Sequence, residues 1–291
     1  MNLAIIGAGR WGKNLLREFN KIAEISYICH TGNPETDRWL KENYPAAAIT
    51  HHYQEILKDK RVSAVVIATP IKTHFKIASV CLKSGKHVFL EKPMTDNLSQ
   101  AKKLVALAKE KNLILFVGHI FLYHEVFKKI KELTKKDPIQ SADFYWSKWG
   151  HFTEDILWNL ACHEISIALN LMGQPQKISL INKTKAITEG DLVSLKLEFA
   201  DGKIATININ RLSPEKRKTV TLLTKNNLLV WHNDSLYKLD KKTQALKLIY
   251  QSKITPLITE CRTFLESVKT KKEPVTNGEF GLKVIKTLEL L

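Results

Sequence analysis

Residues 2–12 read NLAIIGAGRWG. The apolar run of Asn2 to Ile6 has the length and character of a fully buried strand. Gly7, Gly9 and Gly12 then spell G-x-G-x-x-G where that strand would turn into a helix. In this context the first glycine allows the tight turn, the second lets a pyrophosphate approach the backbone, and the third permits close helix packing. The helix start adds amide donors and the positive end of a dipole, both suited to phosphate. Next, RWGKNLLREFNKI places Trp11, Leu15, Leu16 and Phe19 at helical spacing, and EISYIC reads as a second strand. The chain therefore opens with one βαβ unit.

The same alternation continues outward. VSAVVIA precedes helical HFKIASVCLKSG, HVFLE precedes helical NLSQAKKLVALAKEKN, and LILFVG follows. Strands so uniformly apolar are expected where helices cover both faces of a parallel sheet, which predicts a doubly wound α/β Rossmann domain over 1–118. After Gly118 the texture changes. FLYHEVFKKIKELTKK is amphipathic, SADFYWSKW is strand-like, DILWNLACHEISIALNLMG reads as a long apolar helix, and LVSLKLEFADGKIATININR reads as a hairpin turning at ADG. These segments predict an α+β domain over 119–291, built on a large, mostly antiparallel open sheet and closed by two helices.

Composition narrows the function. At 291 residues the chain suggests about two domains of roughly 150 residues each. The start has no signal-peptide plan and no segment approaches the ~20 apolar residues of a membrane helix, so a cytoplasmic protein without a membrane partner is expected. Cys29, Cys81, Cys162 and Cys261 lack C-x-x-C spacing, which argues against a zinc site or a disulfide framework, and no metal is expected. The 45 Lys plus Arg against 29 Asp plus Glu give a net charge of +16. That field attracts phosphorylated ligands. The basic runs KKIKELTKK, SPEKRK and VKTKKEP read as solvated faces, and without a nucleic-acid-binding motif no nucleic-acid partner is expected.

Candidate site residues follow from strand ends, where open α/β sheets bind ligands. Beyond Gly7, Gly9, Arg10, Trp11 and Gly12, the second strand should end in a ribose-binding acid but reads YICHTGN, presenting His30 and Thr31. Thr31, Asn33 and Arg10 are the donors available to a 2′-phosphate, so NAD and NADP both stay open. ATPIKTH brings Thr69, Pro70 and His74 to the cofactor's border. In HVFLEKPMT, Glu91 and Lys92 end a strand and point to opposite faces, so they are not expected to form a simple ion pair. A lysine beside a nicotinamide suits proton transfer, and Pro93 stiffens the exit. In the helix expected over 157–172, Asn159, His163, Ser166 and Asn170 form a polar stripe facing a cleft, with Glu164 as the one charge.

Taken together, IIGAGRWG, ATPIKTH, VFLEKPMT, VGHIFLYHEVFKKIKEL, LWNLACHEIS and EPVTNGEFGLKVIKTLELL resemble the Gfo/Idh/MocA oxidoreductase family nearly end to end. The resemblance implies NAD(P)-dependent oxidation or reduction of a sugar or cyclitol hydroxyl. It implies that Lys92 is the catalytic lysine, often before a cis proline, and His163 of the polar stripe, whose imidazole can hydrogen-bond a substrate hydroxyl, is expected to share the proton transfer. Lys92, His119, Tyr123, Asn159 and His163 would face the substrate, and the open sheet would mediate assembly as a homodimer or homotetramer. Within the family the chain is most similar to nucleotide-sugar 3-dehydrogenases, whose diphosphate substrates suit the basic charge. It departs from the family pattern at Asn159, where an acid is usual, and this motivates an alternative reading as a cofactor-binding protein of weakened catalysis.

Overall fold

The computed structural model describes residues 2–150 and 155–291. The chain forms two compact units, one of residues 1–120 with 257–285, the other of 121–256 with 286–291.

In the first unit, β1 (Asn2–Ile6), α1 (Arg10–Phe19), β2 (Glu24–Cys29), α2 (Pro34–Asn43), β3 (Ala48–Thr50), α3 (Tyr53–Lys58), β4 (Val62–Ile67), α4 (Ile71–Lys83), β5 (His87–Glu91), α5 (Leu98–Glu110) and β6 (Leu115–Gly118) follow in order. The strands form a six-stranded sheet ordered β3-β2-β1-β4-β5-β6. Every adjacent pair is parallel, the doubly wound order whose ligands lie beyond the carboxyl ends of the strands. Burial explains the uninterrupted apolar runs: Ala64 to Ile67 of β4 and all of β5 are inaccessible to solvent or nearly so.

The second unit contains α6 (Glu125–Thr134), β7 (Ile139–Trp149), α7 (Cys162–Met172), β8 (Lys177–Thr184), β9 (Leu192–Glu198), β10 (Ile204–Asn210), β11 (Leu212–Thr224), β12 (Leu228–His232), β13 (Ser235–Asp240) and β14 (Ala245–Gln251). Its eight-stranded sheet runs β14-β13-β12-β11-β7-β10-β9-β8, antiparallel at every step except the parallel pair of β7 and β10. The β9–β10 hairpin turns where expected, with Gly202 at a φ of +77°. Alternate residues of β9 and β10, among them Leu195, Leu197, Ala205 and Ile207, are buried, so one face of the sheet is core.

The division differs from the boundary expected at 118 because the C-terminal helices α8 (Pro256–Thr270) and α9 (Gly278–Leu288) each lie mostly in the first unit. Phe264 of α8 packs edge-on against Phe19, Phe89 and Phe116 at centroid distances of 6.2, 5.5 and 5.6 Å. Each such pair adds about 0.5–1.5 kcal/mol beyond its area burial. The segment α2–β3–α3 was also not legible in the sequence, since its strand has three residues and α2 buries only Leu40 among them. No helix among the described residues is long and apolar enough to cross a membrane.

Candidate active site

The glycine turn meets the requirements of its motif. Gly7 has a φ of +106°, donates its N–H to the Cys29 carbonyl at 2.8 Å, and leaves no room for a Cβ, which would stand 2.4 Å from the Ala68 oxygen. A Cβ on Gly12 would lie 1.9 Å from the Gly7 oxygen. Gly9 is the contrary case, with nothing within 4 Å of its Cβ position. Gly7 and Gly12 thus serve chain packing, while Gly9 leaves open a cradle that a side chain would fill. No side chain caps α1 and no acid lies in its first turn, so its amides are available to a phosphate. Arg10 is exposed beside them. These features fit a dinucleotide pyrophosphate.

At the end of β2 the acid missing from the strand is supplied from α2. His30 is buried, and its Nε2 lies 2.8 Å from Asp37 Oδ1 while its Nδ1 accepts the Gly32 N–H at 3.3 Å. The tautomer that satisfies both contacts carries its proton on Nε2. His51 Nδ1 lies 3.3 Å from the His30 carbonyl, and its Nε2 stands 3.6 Å from Asp37 Oδ2. The two imidazoles and the carboxylate are thus a hydrogen-bonded cluster that uses both His30 nitrogens internally. Thr31 is exposed. The Asn33 side-chain oxygen is committed to capping α2 through the Glu35 and Thr36 amides.

The turns after β4 and β5 are joined by His74. Its ring is buried between the Thr69 carbonyl, 2.8 Å from Nε2, and the Pro93 carbonyl, 2.9 Å from Nδ1. Burial lowers its pKa, against the pull of those carbonyls, and the neutral ring donates its one N–H to one of the two oxygens while packing against the other. Thr69 is half-buried, its Oγ1 accepting from the Thr73 hydroxyl, and Pro70 is exposed. His74 therefore acts as a clamp between two strand-end turns, one of which contains the cis Lys92–Pro93 peptide.

Glu91 closes β5 and Lys92 follows it. The buried Glu91 carboxyl accepts the Trp11 indole N–H at 2.6 Å and the Lys92 backbone N–H at 3.1 Å. Burial pushes its pKa up to about 7, opposed by these donors and by the Lys92 charge. The carboxyl rests on Gly118, where a Cβ would stand 3.0 Å from Oε1. Beside it His119 is buried, with no hydrogen-bond partner among the described residues for either ring nitrogen. Burial, and then the Lys92 charge, lower the His119 pKa to about 3, so this imidazole is neutral.

In the second unit, His163 is buried between the rings of Phe121 and Trp146, at centroid distances of 5.1 and 5.3 Å. Tyr123 is buried as well. The expected helix is broken in two: Leu157–Ala161, with Asn159, form a π-helical turn before α7 begins. A π turn shifts the phase of the residues before it, so Asn159 does not continue the α-helical spacing of His163, Ser166 and Asn170. Two of its members are also committed elsewhere. The Ser166 hydroxyl donates to the His163 carbonyl at 2.7 Å, and Lys131 Nζ donates to Asn170 Oδ1 at 2.7 Å.

Glu164, fully buried, is bonded by Lys218 of β11, and the Lys218 ammonium lies 4.1 Å from the Phe121 ring centre and 4.4 Å from that of Trp146. Lys218 is the last residue of SPEKRK, so the reading of that run as a solvated face fails at this position. Burial pushes its pKa well below that of an ordinary lysine, and the Glu164 carboxylate is the counter-charge. The sequence signal was Glu164 itself, since a single charge on an apolar helix needs a buried partner.

Residues 1–119 match the family model described as an oxidoreductase family with an NAD-binding Rossmann fold, and residues 134–228 match the GFO/IDH/MocA C-terminal domain. UDP-N-acetylglucosamine 3-dehydrogenase from Acidithiobacillus ferrooxidans is 22% identical over 98% of this chain and 94% of its own. Myo-inositol 2-dehydrogenase from Thermotoga maritima is 22% identical over 97% of this chain and 92% of its own. The match to scyllo-inositol 2-dehydrogenase (NADP(+)) IolW from Bacillus subtilis, at 27% identity, spans 48% of this chain and 43% of that relative. The solved structure of the A. ferrooxidans enzyme, GnnA, superposes with a TM-score of 0.92 at 20% identity, covering 99% of this chain and 95% of its own. With both parts matched, in the order the sequence motifs require, the chain belongs to the Gfo/Idh/MocA family of NAD(P)-dependent oxidoreductases.

Proposed function

We propose that this oxidoreductase acts on a secondary hydroxyl, or the corresponding ketone, of a sugar, cyclitol or nucleotide sugar, with Lys92 as its proton-transfer group. The observation that carries the reading is the end of β5. Lys92 follows Glu91, whose carboxyl is tied by Trp11 to the first turn of α1, so the lysine is anchored to the phosphate-facing turn by a short chain of contacts. NAD or NADP, held along Gly7, Gly9 and Gly12, supplies the hydride acceptor or donor. A hydroxyl releases hydride more readily when its proton leaves too, and a positioned acid or base contributes about 10²–10⁴-fold. Lys92 takes that proton at Nζ. His119 is the further substrate residue proposed in the first unit, and His163, with Asn159 and Tyr123, is the substrate group proposed in the second unit.

Support for the substrate class comes from relatives named for UDP-N-acetylglucosamine and for inositols. The net charge of +16 favours the diphosphate-bearing member of that class. The exposed Leu246, Leu248 and Ile249 of β14 support assembly through the open sheet as a homodimer or homotetramer. To test the function, NADH and NADPH are titrated separately by fluorescence and turnover is then screened against UDP-sugars, hexoses and inositols. Lys92→Met should lose about 10²–10⁴-fold in kcat and keep dinucleotide affinity. Failure of both dinucleotides to bind, or parental turnover in Lys92→Met, would refute the reading.

A further inference from the structure

The contacts that bring the acid of α2 to the end of β2 leave one of its oxygens open. The Cys29 carbonyl, at the end of β2, accepts the Gly7 N–H at 2.8 Å. The next residue, His30, bonds Asp37 Oδ1 through Nε2 at 2.8 Å. The phosphate-facing turn and the carboxylate are thus fastened to neighbouring residues of one strand end, within the first unit.

Local sequence sets the acid in place. Asn33 caps α2, Pro34 opens the helix, and the Asp37 N–H closes the first turn on the Asn33 carbonyl at 3.0 Å. His30 is fixed by its backbone N–H, which donates to the Thr50 carbonyl at 3.2 Å, and by Nδ1, which accepts from Gly32 at 3.3 Å. With Nδ1 an acceptor, Nε2 carries the proton and gives Asp37 Oδ1 one donor. Oδ2 is different. It stands 3.6 Å from His51 Nε2, beyond hydrogen-bond distance, and the Asp37 side chain is 26% exposed. Among the described residues no lysine or arginine pairs with this carboxylate. An ionised carboxylate only accepts, so the group it suits is one that carries hydroxyls.

We propose that Asp37 reads the adenosine ribose by accepting its 2′-hydroxyl at Oδ2, so that this chain selects NAD over NADP, with His30 as the positioning residue that holds Oδ1. The inference rests on the oxidoreductase reading above and names the cofactor of that site. A pyrophosphate on the glycine turn after β1 sends the ribose toward the end of β2, where an acid is the usual reader of its hydroxyl. Here the acid arrives from the following helix instead of the strand. The hydroxyl of NAD donates to a charged acceptor, which favours binding by roughly 10- to 100-fold. The 2′-phosphate of NADP has no such donor and meets like charge. His30, with both ring nitrogens engaged, offers that phosphate nothing.

The test is binding, with no turnover required: NADH against NADPH by fluorescence, and ADP-ribose against its 2′-phosphate by calorimetry, which confines the comparison to the adenosine end. The parent should bind the member without the 2′-phosphate about 10-fold or more tightly in each pair. Asp37→Asn keeps an oxygen for the His30 N–H and removes the charge. It should weaken NADH and strengthen NADPH, narrowing the ratio by about 10-fold or more. His30→Leu frees the carboxylate without discharging it, so it should cost NADH more than NADPH, whereas a merely structural His30 would cost both alike. A parent that binds NADPH as tightly as NADH, or an unchanged ratio in Asp37→Asn, overturns the assignment. The parent's own ratio decides even where a variant does not fold. Equal losses of both dinucleotides in His30→Leu overturn the positioning role. Failure of the parent to bind either dinucleotide overturns the functional reading itself, and this inference with it.

Discussion

Lys218→Met should be among the most destabilising single changes in the second unit. The substitution keeps most of the stem's volume and removes the ammonium. Glu164, 1% exposed at its side chain, is then left as a buried carboxylate whose second oxygen has no partner among the described residues. Removing one member of a buried ion pair destabilises by about 3–5 kcal/mol. The loss of the cation held against Phe121 and Trp146 lies on the same side of the ledger, at about 2 kcal/mol for a desolvated contact. Glu164→Gln should be milder, because burial already favours a neutral Lys218 that can shed its proton. The double variant removes both charges and should recover much of the loss, giving a coupling energy of roughly 2 kcal/mol or more. The assay is urea unfolding of the four proteins of the cycle. Additive single losses, or a Lys218→Met loss under about 1 kcal/mol, would show that the pair is not the buried unit described.

Gly12→Ala should fail to fold or lose most of its stability, since its Cβ would meet backbone at 1.9 Å; Gly9→Ala should keep the parental unfolding midpoint and lose NADH and NADPH affinity, with both read by fluorescence. The Glu91 carboxyl, raised from 4.5 to about 7, keeps its proton when folded over a range where the unfolded chain has lost it, so its contribution to stability falls between those pH values. The full shift corresponds to about 3 kcal/mol, and Glu91→Gln should flatten the stability profile in that window, as measured by urea unfolding at several pH values. Arg10→Ala should weaken NADPH more than NADH, because only NADPH carries the extra phosphate; equal losses in parallel titrations would reject that role.

What the sequence revealed was local. Gly7, Gly9 and Gly12 follow a strand and open a helix within a dozen residues, and the five apolar parallel strands of useful length each declare themselves. What it hid was set by partners far along the chain. Nothing near Phe264 indicates that its ring meets Phe19, Phe89 and Phe116, so the return of α8 to the first unit could not be read. Lys218 sits in a run of basic residues and differs from its neighbours only because Glu164, 54 positions earlier, is bonded to it. Asp37 escaped notice as the acid at the end of β2 because it lies in the first turn of α2 and reaches that place through His30. The π turn that holds Asn159 was hidden for a further reason: a π turn and an α-helix share a composition but not a period.

Why β5 ends in Glu-Lys-Pro follows from the same geometry. Successive strand residues face opposite ways, so an acid next to a lysine at a strand end is a means of placing two charges in different surroundings. Glu91 turns inward to the Trp11 indole and to Gly118, where even a methyl group would press on its carboxyl. Lys92 is half-buried, and its charge is felt by both Glu91 and His119. Pro93 has no N–H to place, and its carbonyl meets His74, which holds the next turn of chain by its other nitrogen. Each residue of the triplet thus fixes a different neighbour: α1 through Trp11, the nearby titratable groups through the lysine's charge, and the turn after β4 through His74. An alanine at 91 would release the indole, and a residue with a side chain at 118 would displace the acid. The triplet is best understood as a junction of three elements, with the lysine's position as its consequence.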